Sequence, residues 1–229
     1  MTTFVLVHGA WHGSWAWDSV VPLLYAAGMQ TLTPDLGIDA GSGLHDHART
    51  VVAALDTVGA QDDVVLVGHS YGGLVVREAA DARPDVVGHV VLVDGWAGAD
   101  GSSLFSLAPE ALVTALRAAA GDGDQIPAPP PAAFGIVDPD AAADLAIRMT
   151  PQPLRTFTEP TRLRGAVDGI AGTAIYCRPQ VYPFERFGEA VGYRTLAVDG
   201  PHNVMLTHPQ DLAGMLLDAH SFSAKKCDV

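Results

Sequence analysis

The apolar residues of the chain fall in short runs, and between these runs they recur with helical spacing. Six largely apolar runs read as strands, at Phe4–Val7, Met29–Thr33, Val64–Val67, His89–Val93, Thr173–Cys177 and Thr195–Val198. They lack the alternation of polar and apolar positions that marks a strand with one face in water. Strands of this kind are covered on both faces, as in a parallel sheet.

Helical patterns separate most of these runs. In residues 45–58, the side chains of Ala48, Val51, Val52 and Leu55 fall on one helical face. Similar patterns predict further helices over residues 15–27, 71–83 and 208–220. Alternation of strands and helices predicts right-handed crossovers and a mostly parallel, doubly wound α/β sheet of about six strands.

One connection is much longer than the others. Twenty-one residues separate Val67 from His89, whereas 79 separate Val93 from Thr173. A structureless loop of that size is uncommon in a compact domain, and this one has helical patterns over Leu107–Ala120 and near 140–149. We therefore expect residues 1–97 and 171–229 to form an α/β core and residues 98–170 a helical lid. A surface insertion without function is the alternative.

Composition and charge exclude several classes of function. The 229 residues carry 13 basic and 26 acidic side chains, a net charge of −13. Such a surface repels phosphate backbones and anionic lipid, so we expect no nucleic-acid and no membrane partner. The cysteines, Cys177 and Cys227, are too few for a disulfide framework. The apolar run at Phe4–Val7 has no basic residues before it and favours a strand over a signal peptide. We expect a cytoplasmic protein, and a homodimer is left open.

A nucleophile motif follows the third apolar run. Gly68-His69-Ser70-Tyr71-Gly72 has the pattern G-x-S-x-G, after a strand and before a helix. That turn exposes a serine hydroxyl at the end of a sheet, beside the backbone N–H groups of a helix N-terminus. We therefore predict Ser70 as a nucleophile. A tight turn without chemistry is the alternative.

The loop after the first strand supplies the second element of the predicted site. It reads His8-Gly9-Ala10-Trp11-His12-Gly13, and in such folds this loop provides one oxyanion donor. The backbone N–H groups of Ala10 and Tyr71 are the predicted oxyanion hole. We expect Gly9, Trp11 and His69 to contact substrate and His8 to orient the loop.

The general base is predicted from chain order. His202 follows the last apolar run and precedes the final helical pattern, which satisfies the order serine then histidine. His45 and His47 flank Asp46 at a predicted helix start, where we expect solvated capping residues. No third ligand for a metal site beside this pair is evident. We expect neither a metal nor another cofactor.

Four segments together resemble a known family. They are Phe4–Trp15, Gly68–Gly73, Pro151–Leu154 with Phe157–Pro160, and Gly200–Leu206. The chain resembles the plant methylesterase and hydroxynitrile lyase family and its bacterial esterase relatives, within the α/β-hydrolase superfamily. The resemblance implies the α/β-hydrolase fold with a catalytic triad and a lid.

The resemblance also implies an acid just after the penultimate strand, about 28 residues before the histidine. Residues 176–185 contain no aspartate. Asp94, which ends the fourth run, is our leading candidate, because some α/β hydrolases carry the acid at that strand end. Glu185 and Asp199 are the other candidates. A serine–histidine pair without an acid is the last alternative, and loss of the acid can cost about 10⁴ in turnover.

Three functions follow from these residues. The first is an esterase for a small, largely apolar carboxylic ester, with lid residues as apolar walls: Leu104, Phe105, Leu107, Leu112, Phe134 and Leu154. An anionic substrate would need Arg155 or Arg178 in the pocket. The second is a lyase, elimination or cyclisation catalyst, although the resembling lyases carry a polar residue at Gly9 or a lysine at Asn203. The third is a non-catalytic binding protein for small molecules.

Overall fold

Six parallel strands form the central sheet of the computed structural model, which describes residues 1–59 and 62–224 and, of residues 220–224, the backbone alone. The strands are β1 Thr2–Val7, β2 Gln30–Leu32, β3 Asp63–His69, β4 Val87–Val93, β7 Ala171–Arg178 and β8 Arg194–Asp199. Their order in the sheet is β2-β1-β3-β4-β7-β8. The predicted doubly wound parallel sheet is confirmed. Cys227, singled out above, lies outside the described residues.

The helices of the core follow the strands that they connect. They are α1 Val21–Ala26, α2 Leu44–Leu55, α3 Gly72–Ala82, α8 Phe184–Ala190, α9 Val204–Thr207 and α10 Pro209–Ala224. The helix predicted over residues 15–27 is wrong in extent. A 3-10 turn over Ser14–Trp17 precedes α1, and Pro22 stands in the first turn of that helix, where proline costs no intrahelical hydrogen bond.

Both faces of the sheet are buried, which explains the apolar runs. Alternate strand residues such as Val5 and Leu66 pack with α2, α3 and α8 in one cluster. Their neighbours, such as Phe4 and Val65, pack with α1 and α10 in a second cluster on the other face. Each strand therefore buries side chains in both directions, as parallel strands do.

The long segment between β4 and β7 contains short helices and a small second sheet. Its elements are α4 Leu104–Leu107, α5 Glu110–Ala120, β5 Gln125–Ile126, α6 Pro139–Arg148, β6 Gln152–Pro153 and α7 Arg155–Thr158. The predicted helix over Leu107–Ala120 is divided, because Pro109 stands between α4 and α5. Strands β5 and β6 pair antiparallel. Within residues 1–59 and 62–224, no helix is long and apolar enough to cross a membrane.

Candidate active site

Ser70 stands at a sharp turn between β3 and α3. Its φ is +51°, a left-handed conformation that costs a non-glycine residue about 1–3 kcal/mol and is found at functional sites. The backbone of the turn is anchored to the end of β4, since Ser70 N–H donates to the Val93 carbonyl at 3.1 Å and Trp96 N–H donates to the Ser70 carbonyl at 3.0 Å. The turn therefore holds the hydroxyl at the carboxyl end of the sheet.

The glycines around this turn permit a close approach of the backbone. A Cβ at Gly68 would lie 2.5 Å from the Gly72 carbonyl oxygen, and a Cβ at Gly72 would lie 2.7 Å from the His8 carbonyl oxygen. Any side chain at these positions would push α3 away from the strands and from the opening loop, residues 8–13 after β1. The G-x-S-x-G pattern is thus a packing requirement of the turn.

Three side chains from distant parts of the chain form one hydrogen-bonded series. Ser70 Oγ lies 3.0 Å from His202 Nε2, and His202 Nδ1 lies 2.8 Å from Asp94 Oδ2. The Asp94 carboxylate is 1% exposed, and its second oxygen accepts the Cys177 N–H at 2.7 Å. With Nδ1–H donating to Asp94, Nε2 is free to accept the serine proton, which is the geometry of a nucleophile and its base.

The other carboxylates considered from the sequence are engaged elsewhere. Glu185 Oε2 accepts the Gln180 side-chain amide at 3.3 Å. Asp199 pairs with Arg178 at 2.9 Å and is exposed. Asp94 reaches His202 because it follows β4 in a left-handed turn of its own, with φ +44°. Of the carboxylates considered, the structure brings Asp94 to the imidazole.

The backbone N–H groups of Ala10 and Tyr71 are the predicted oxyanion donors; Ala10 lines the same cavity as Ser70, and Tyr71 follows Ser70 in the chain. Tyr71 directly precedes α3, and Ala10 lies in the loop after β1. Neither N–H donates a hydrogen bond to a backbone carbonyl of the described residues. Both are therefore available to an oxyanion that forms beside Ser70.

His69 and His12 hold the loops of the site, and neither histidine is charged. Burial, with His202 nearby, keeps the pKa of His69 well below its usual value, so its Nε2–H donates to the His202 carbonyl at 3.0 Å. Burial also lowers the pKa of His12 to about 4. His12 Nδ1–H donates to the Ala10 carbonyl at 2.7 Å, and Asn203 Nδ2 donates to His12 Nε2 at 3.0 Å. His12 thus connects the loop after β1 to the loop that carries His202.

A cavity of about 130 Å³ opens onto Ser70 and His202. Its wall is mostly aromatic and aliphatic: Trp11, Trp96, Leu104, Leu112, Leu116, Phe134, Phe157, Val181, Tyr182 and Phe184. Among the described residues that line it, none is Asp, Glu, Lys or Arg. The site therefore suits an uncharged, apolar group next to the serine.

Several predictions about the cavity wall need correction. Gly9 and His69 do not line the cavity, because His69 is buried behind the serine, and a Cβ at Gly9 would lie 2.8 Å from His69 Nδ1. Of the predicted lid wall, Leu104, Leu112 and Phe134 line the cavity, whereas the others pack into the core cluster: Phe105, Leu107 and Leu154.

The arginines considered for an anionic substrate are paired with carboxylates instead. Arg155 bonds Glu159 at 2.6 Å, and Arg178 bonds Asp199 at 2.9 Å. His8, predicted to orient the opening loop, accepts the Leu36 N–H on its Nε2 at 3.1 Å. These three side chains therefore hold local structure outside the cavity.

The prediction that His45 and His47 are solvated caps is wrong. Both are buried, because helix α3 and the segment around Glu159, between β4 and β7, cover the start of α2. His45 Nδ1 lies 2.6 Å from Glu78 Oε1, and His47 Nδ1 lies 3.0 Å from the Tyr71 hydroxyl. Within residues 1–59 and 62–219, no group of three or more His, Cys, Asp or Glu side chains could hold a metal ion.

Sequence reasoning missed several residues that line the cavity, among them three aromatic residues that follow β4 or β7. Trp96 and Tyr182 line the cavity from the loops that follow β4 and β7, and Phe184 lines it from the start of α8. Their position after strands of a parallel sheet was a usable signal, because ligands bind at the carboxyl ends of such strands. The aromatic residues that follow these strands could therefore have been predicted as part of the cavity wall.

Known proteins share both the sequence pattern and the fold. The Alpha/beta hydrolase family matches residues 4–215. A carbendazim hydrolyzing esterase from Nocardioides sp. (strain SG-4G) is 32% identical over an alignment of 244 positions, gaps included. The alignment covers 94% of this chain and 98% of that protein. Methylesterase 2 of Arabidopsis thaliana is 39% identical over 102 residues, 41% of this chain and 39% of that protein.

Among solved structures, an extracellular alpha/beta-hydrolase from a Paenibacillus species superposes with a TM-score of 0.86 at 22% identity, covering 96% of this chain and 99% of that one. That protein is described as sharing structural and functional homology with tobacco Salicylic Acid Binding Protein 2. The family match spans residues 4–215 and the Nocardioides relative is aligned over nearly all of the chain. The chain belongs to the alpha/beta hydrolase family.

Proposed function

We propose that this chain hydrolyses small, uncharged carboxylic esters, with Ser70 as nucleophile, His202 as general base and Asp94 as the acid that orients the base. The observation that carries the proposal is the hydrogen-bonded series from Ser70 through His202 to Asp94, at 3.0 and 2.8 Å, at the floor of an apolar cavity. Relatives named as esterases support the same activity.

The geometry performs hydrolysis in two halves. Ser70 Oγ attacks the ester carbonyl carbon while its proton moves to His202 Nε2, and the carbonyl oxygen becomes an oxyanion facing the N–H groups of Ala10 and Tyr71. Collapse of this intermediate breaks the bond to the alcohol oxygen, which leaves with the proton from His202. The acyl group remains on Ser70.

Water then removes the acyl group by the same steps. His202 takes a proton from the water as it attacks the acyl carbonyl, and the second oxyanion occupies the same two N–H groups. When it collapses, the proton returns to Ser70 Oγ and the carboxylic acid departs. Asp94 keeps Nδ1 protonated throughout and stabilises the imidazolium.

The cavity limits the size of the substrate. Its volume is about 130 Å³, close to the ~150 Å³ of an engineered apolar cavity that binds benzene. We therefore expect the acyl or the alcohol part to be about one ring in size. The absence of charged side chains from the described lining favours neutral substrates.

The two alternatives from the sequence have less support. The lyase hypothesis gained weight from a missing acid, but Asp94 lies 2.8 Å from His202. A polar side chain at Gly9 has no room beside His69 and Ser70. A non-catalytic binding protein would have no use for a serine held on a strained turn next to a base.

Location and assembly stay predictions. A cytoplasmic site of action and a homodimer are untested expectations from the sequence, and the Paenibacillus structure is of an extracellular protein. We also expect the lid, residues 98–170, to close over the substrate as a unit distinct from the sheet-bearing core.

Turnover of p-nitrophenyl acetate by the parent chain and by a Ser70→Ala variant tests the proposal. We expect the parent to hydrolyse the ester and to react with a fluorophosphonate, and the variant to do neither. Ser14→Ala is the matched control, because Ser14 lies near the opening loop and its hydroxyl bonds Asp35. A parent inert to both reagents would overturn the proposal. Unchanged affinity for a small apolar ligand in Ser70→Ala would then favour the binding protein.

A further inference from the structure

We infer that Gln152, a lid side chain that does not line the cavity, is a positioning residue for the oxyanion hole. The inference rests on the proposed ester hydrolysis, because it assigns Ala10 and Tyr71 as the oxyanion donors. Gln152 lies in β6 and is buried. Its effect on the reaction passes through Trp11, which follows Ala10 in the chain.

Trp11 has a strained backbone, and the lid holds it in place. Its φ is +64°, a conformation that a bulky residue rarely adopts. Three hydrogen bonds from the lid fix it: Trp11 N–H donates to Gln152 Oε1 at 3.1 Å, Trp11 Nε1–H donates to the Ile126 carbonyl at 3.1 Å, and Thr150 N–H donates to the Trp11 carbonyl at 3.0 Å. Of these three, only the bond to Gln152 uses a lid side chain, so substitution can remove it selectively.

The amide of Gln152 is fixed in the orientation that accepts from Trp11. Its Nε2 donates to Thr156 Oγ1 at 2.7 Å, and that hydroxyl in turn donates to the Pro153 carbonyl at 2.7 Å. Thr156 is fully buried. A rotated amide would direct its NH₂ group at the Trp11 N–H and its oxygen at a hydroxyl whose proton is already used, so the structure favours one orientation.

The same segment of the lid also reaches Tyr71, the residue that supplies the second oxyanion donor. The ring of Phe157, which follows Thr156, lies 5.7 Å from the Tyr71 ring between centroids and 5.5 Å from the Trp11 ring. The lid segment that carries Gln152 therefore contacts Trp11 on one side and Tyr71 on the other.

Removing the acceptor at position 152 leaves Trp11 N–H without a partner and releases the strained residue. The Ala10 N–H, one residue away, then moves from the place where the oxyanion forms. A displacement of about 1 Å can cost 10²-fold in rate, and loss of a whole oxyanion donor costs about 10²–10³-fold in kcat. We expect Gln152→Leu to lower kcat by about 10- to 100-fold, because the donor is displaced but retained.

The test compares three variants with the parent, using p-nitrophenyl acetate as substrate and phenylboronic acid as a tetrahedral inhibitor. The inhibitor bonds to a serine oxygen and places an oxygen in the oxyanion hole. Gln152→Leu removes the acceptor, and Gln152→Glu restores it. Gln125→Leu is the matched control, since Gln125 lies opposite Pro153 in the small lid sheet and its amide donates to the Ile38 carbonyl instead.

The expected result has three parts. Gln152→Leu loses kcat and boronic acid affinity by similar factors, while KM changes by less than about threefold, because the interaction acts on the transition state. Gln152→Glu recovers part of both losses, because it keeps an acceptor for the Trp11 N–H but places its second oxygen against Thr156 Oγ1. Gln125→Leu behaves as the parent in all three quantities.

Other outcomes overturn the inference. Unchanged kcat and boronic acid affinity in Gln152→Leu would do so, as would a raised KM with unchanged boronic acid affinity, which indicates a loosened cavity wall. Equal losses in Gln125→Leu would indicate general damage to the lid. A parent that neither turns over the ester nor binds the inhibitor would overturn the proposed function as well, whereas an active parent with an unaffected Gln152→Leu overturns this inference alone.

Discussion

Replacing Asp94 with asparagine is the sharpest perturbation of the proposed triad, because it changes one proton position and almost no volume. Asp94 accepts two hydrogen bonds, from His202 Nδ1 at 2.8 Å and from Cys177 N–H at 2.7 Å. The side-chain oxygen of an asparagine can still accept the hydrogen bond from the Cys177 N–H. Its NH₂ group then faces Nδ1 of the imidazole and donates to it.

That donor forces the wrong tautomer on His202. With Nδ1 accepting, the ring proton moves to Nε2, which lies 3.0 Å from Ser70 Oγ and can no longer accept the serine proton. The same substitution in a serine protease lowers kcat by about 10⁴ with its geometry intact. A factor of 10⁴ corresponds to about 5.5 kcal/mol in the activation free energy.

The assay is kcat for p-nitrophenyl acetate, with Glu185→Gln and Asp199→Asn as matched controls. Both controls remove a carboxylate that sequence reasoning considered for the triad, and both side chains bond elsewhere. We expect kcat within about threefold of the parent for each control, as for surface substitutions away from the site. Urea unfolding of Asp94→Asn verifies that the fold is retained.

Two results would refute this reasoning. The first is a folded Asp94→Asn variant with kcat within tenfold of the parent. The second is a larger loss in Glu185→Gln or Asp199→Asn than in Asp94→Asn, which would assign the acid to that residue instead.

Three further predictions concern packing, pH and substrate size. In Gly9→Ala the new Cβ lies 2.8 Å from His69 Nδ1, so we expect a loss of about 1–3 kcal/mol in the free energy of unfolding, measured in urea; an unchanged midpoint would contradict it. The pKa values of His12 and His47 are lowered by burial from 6.5 to about 4. Between pH 6.5 and 4 the unfolded chain therefore binds more protons than the folded chain. The free energy of unfolding consequently decreases as the pH is lowered, by up to about 1.4 kcal/mol per pH unit for each histidine. Urea titrations at several pH values should show this slope, and His47→Gln should reduce it; an equal slope in both proteins counts against burial as the cause. Phe134→Ala widens the cavity, so kcat/KM for p-nitrophenyl hexanoate should rise about tenfold relative to the acetate, and an unchanged ratio would show that Phe134 does not limit substrate size.

The sheet and the serine turn could be predicted from sequence because their signals are local. Buried parallel strands are short apolar runs, and the glycines beside Ser70 are required by contacts within a few residues of it along the chain or across one loop. His202 could be predicted because chain order in this fold is fixed. These features need no knowledge of how the lid packs.

The acid and the wall of the cavity depend on contacts between distant parts of the chain, so the sequence left several candidates for each. Asp94 reaches His202 across 108 residues through a left-handed turn after β4, and no local pattern reports that turn. The burial of His47 did carry a signal, since it lies four residues before Val51 on the apolar face of α2. The hydrogen bond from Trp11 N–H to Gln152 joins residues 141 positions apart. It forms only because residues 98–170 pack against the loop after β1, which no local sequence pattern reports.

Trapping the covalent intermediate tests the central claim most directly. The parent chain is mixed with p-nitrophenyl acetate, quenched in acid within the first turnovers and analysed by intact-protein and peptide mass spectrometry. We predict one acetyl group per chain, on the peptide that carries Ser70, and none on Ser70→Ala. Hydrolysis by Ser70→Ala at the parent's rate, or an acetyl group on a different residue, would contradict the account.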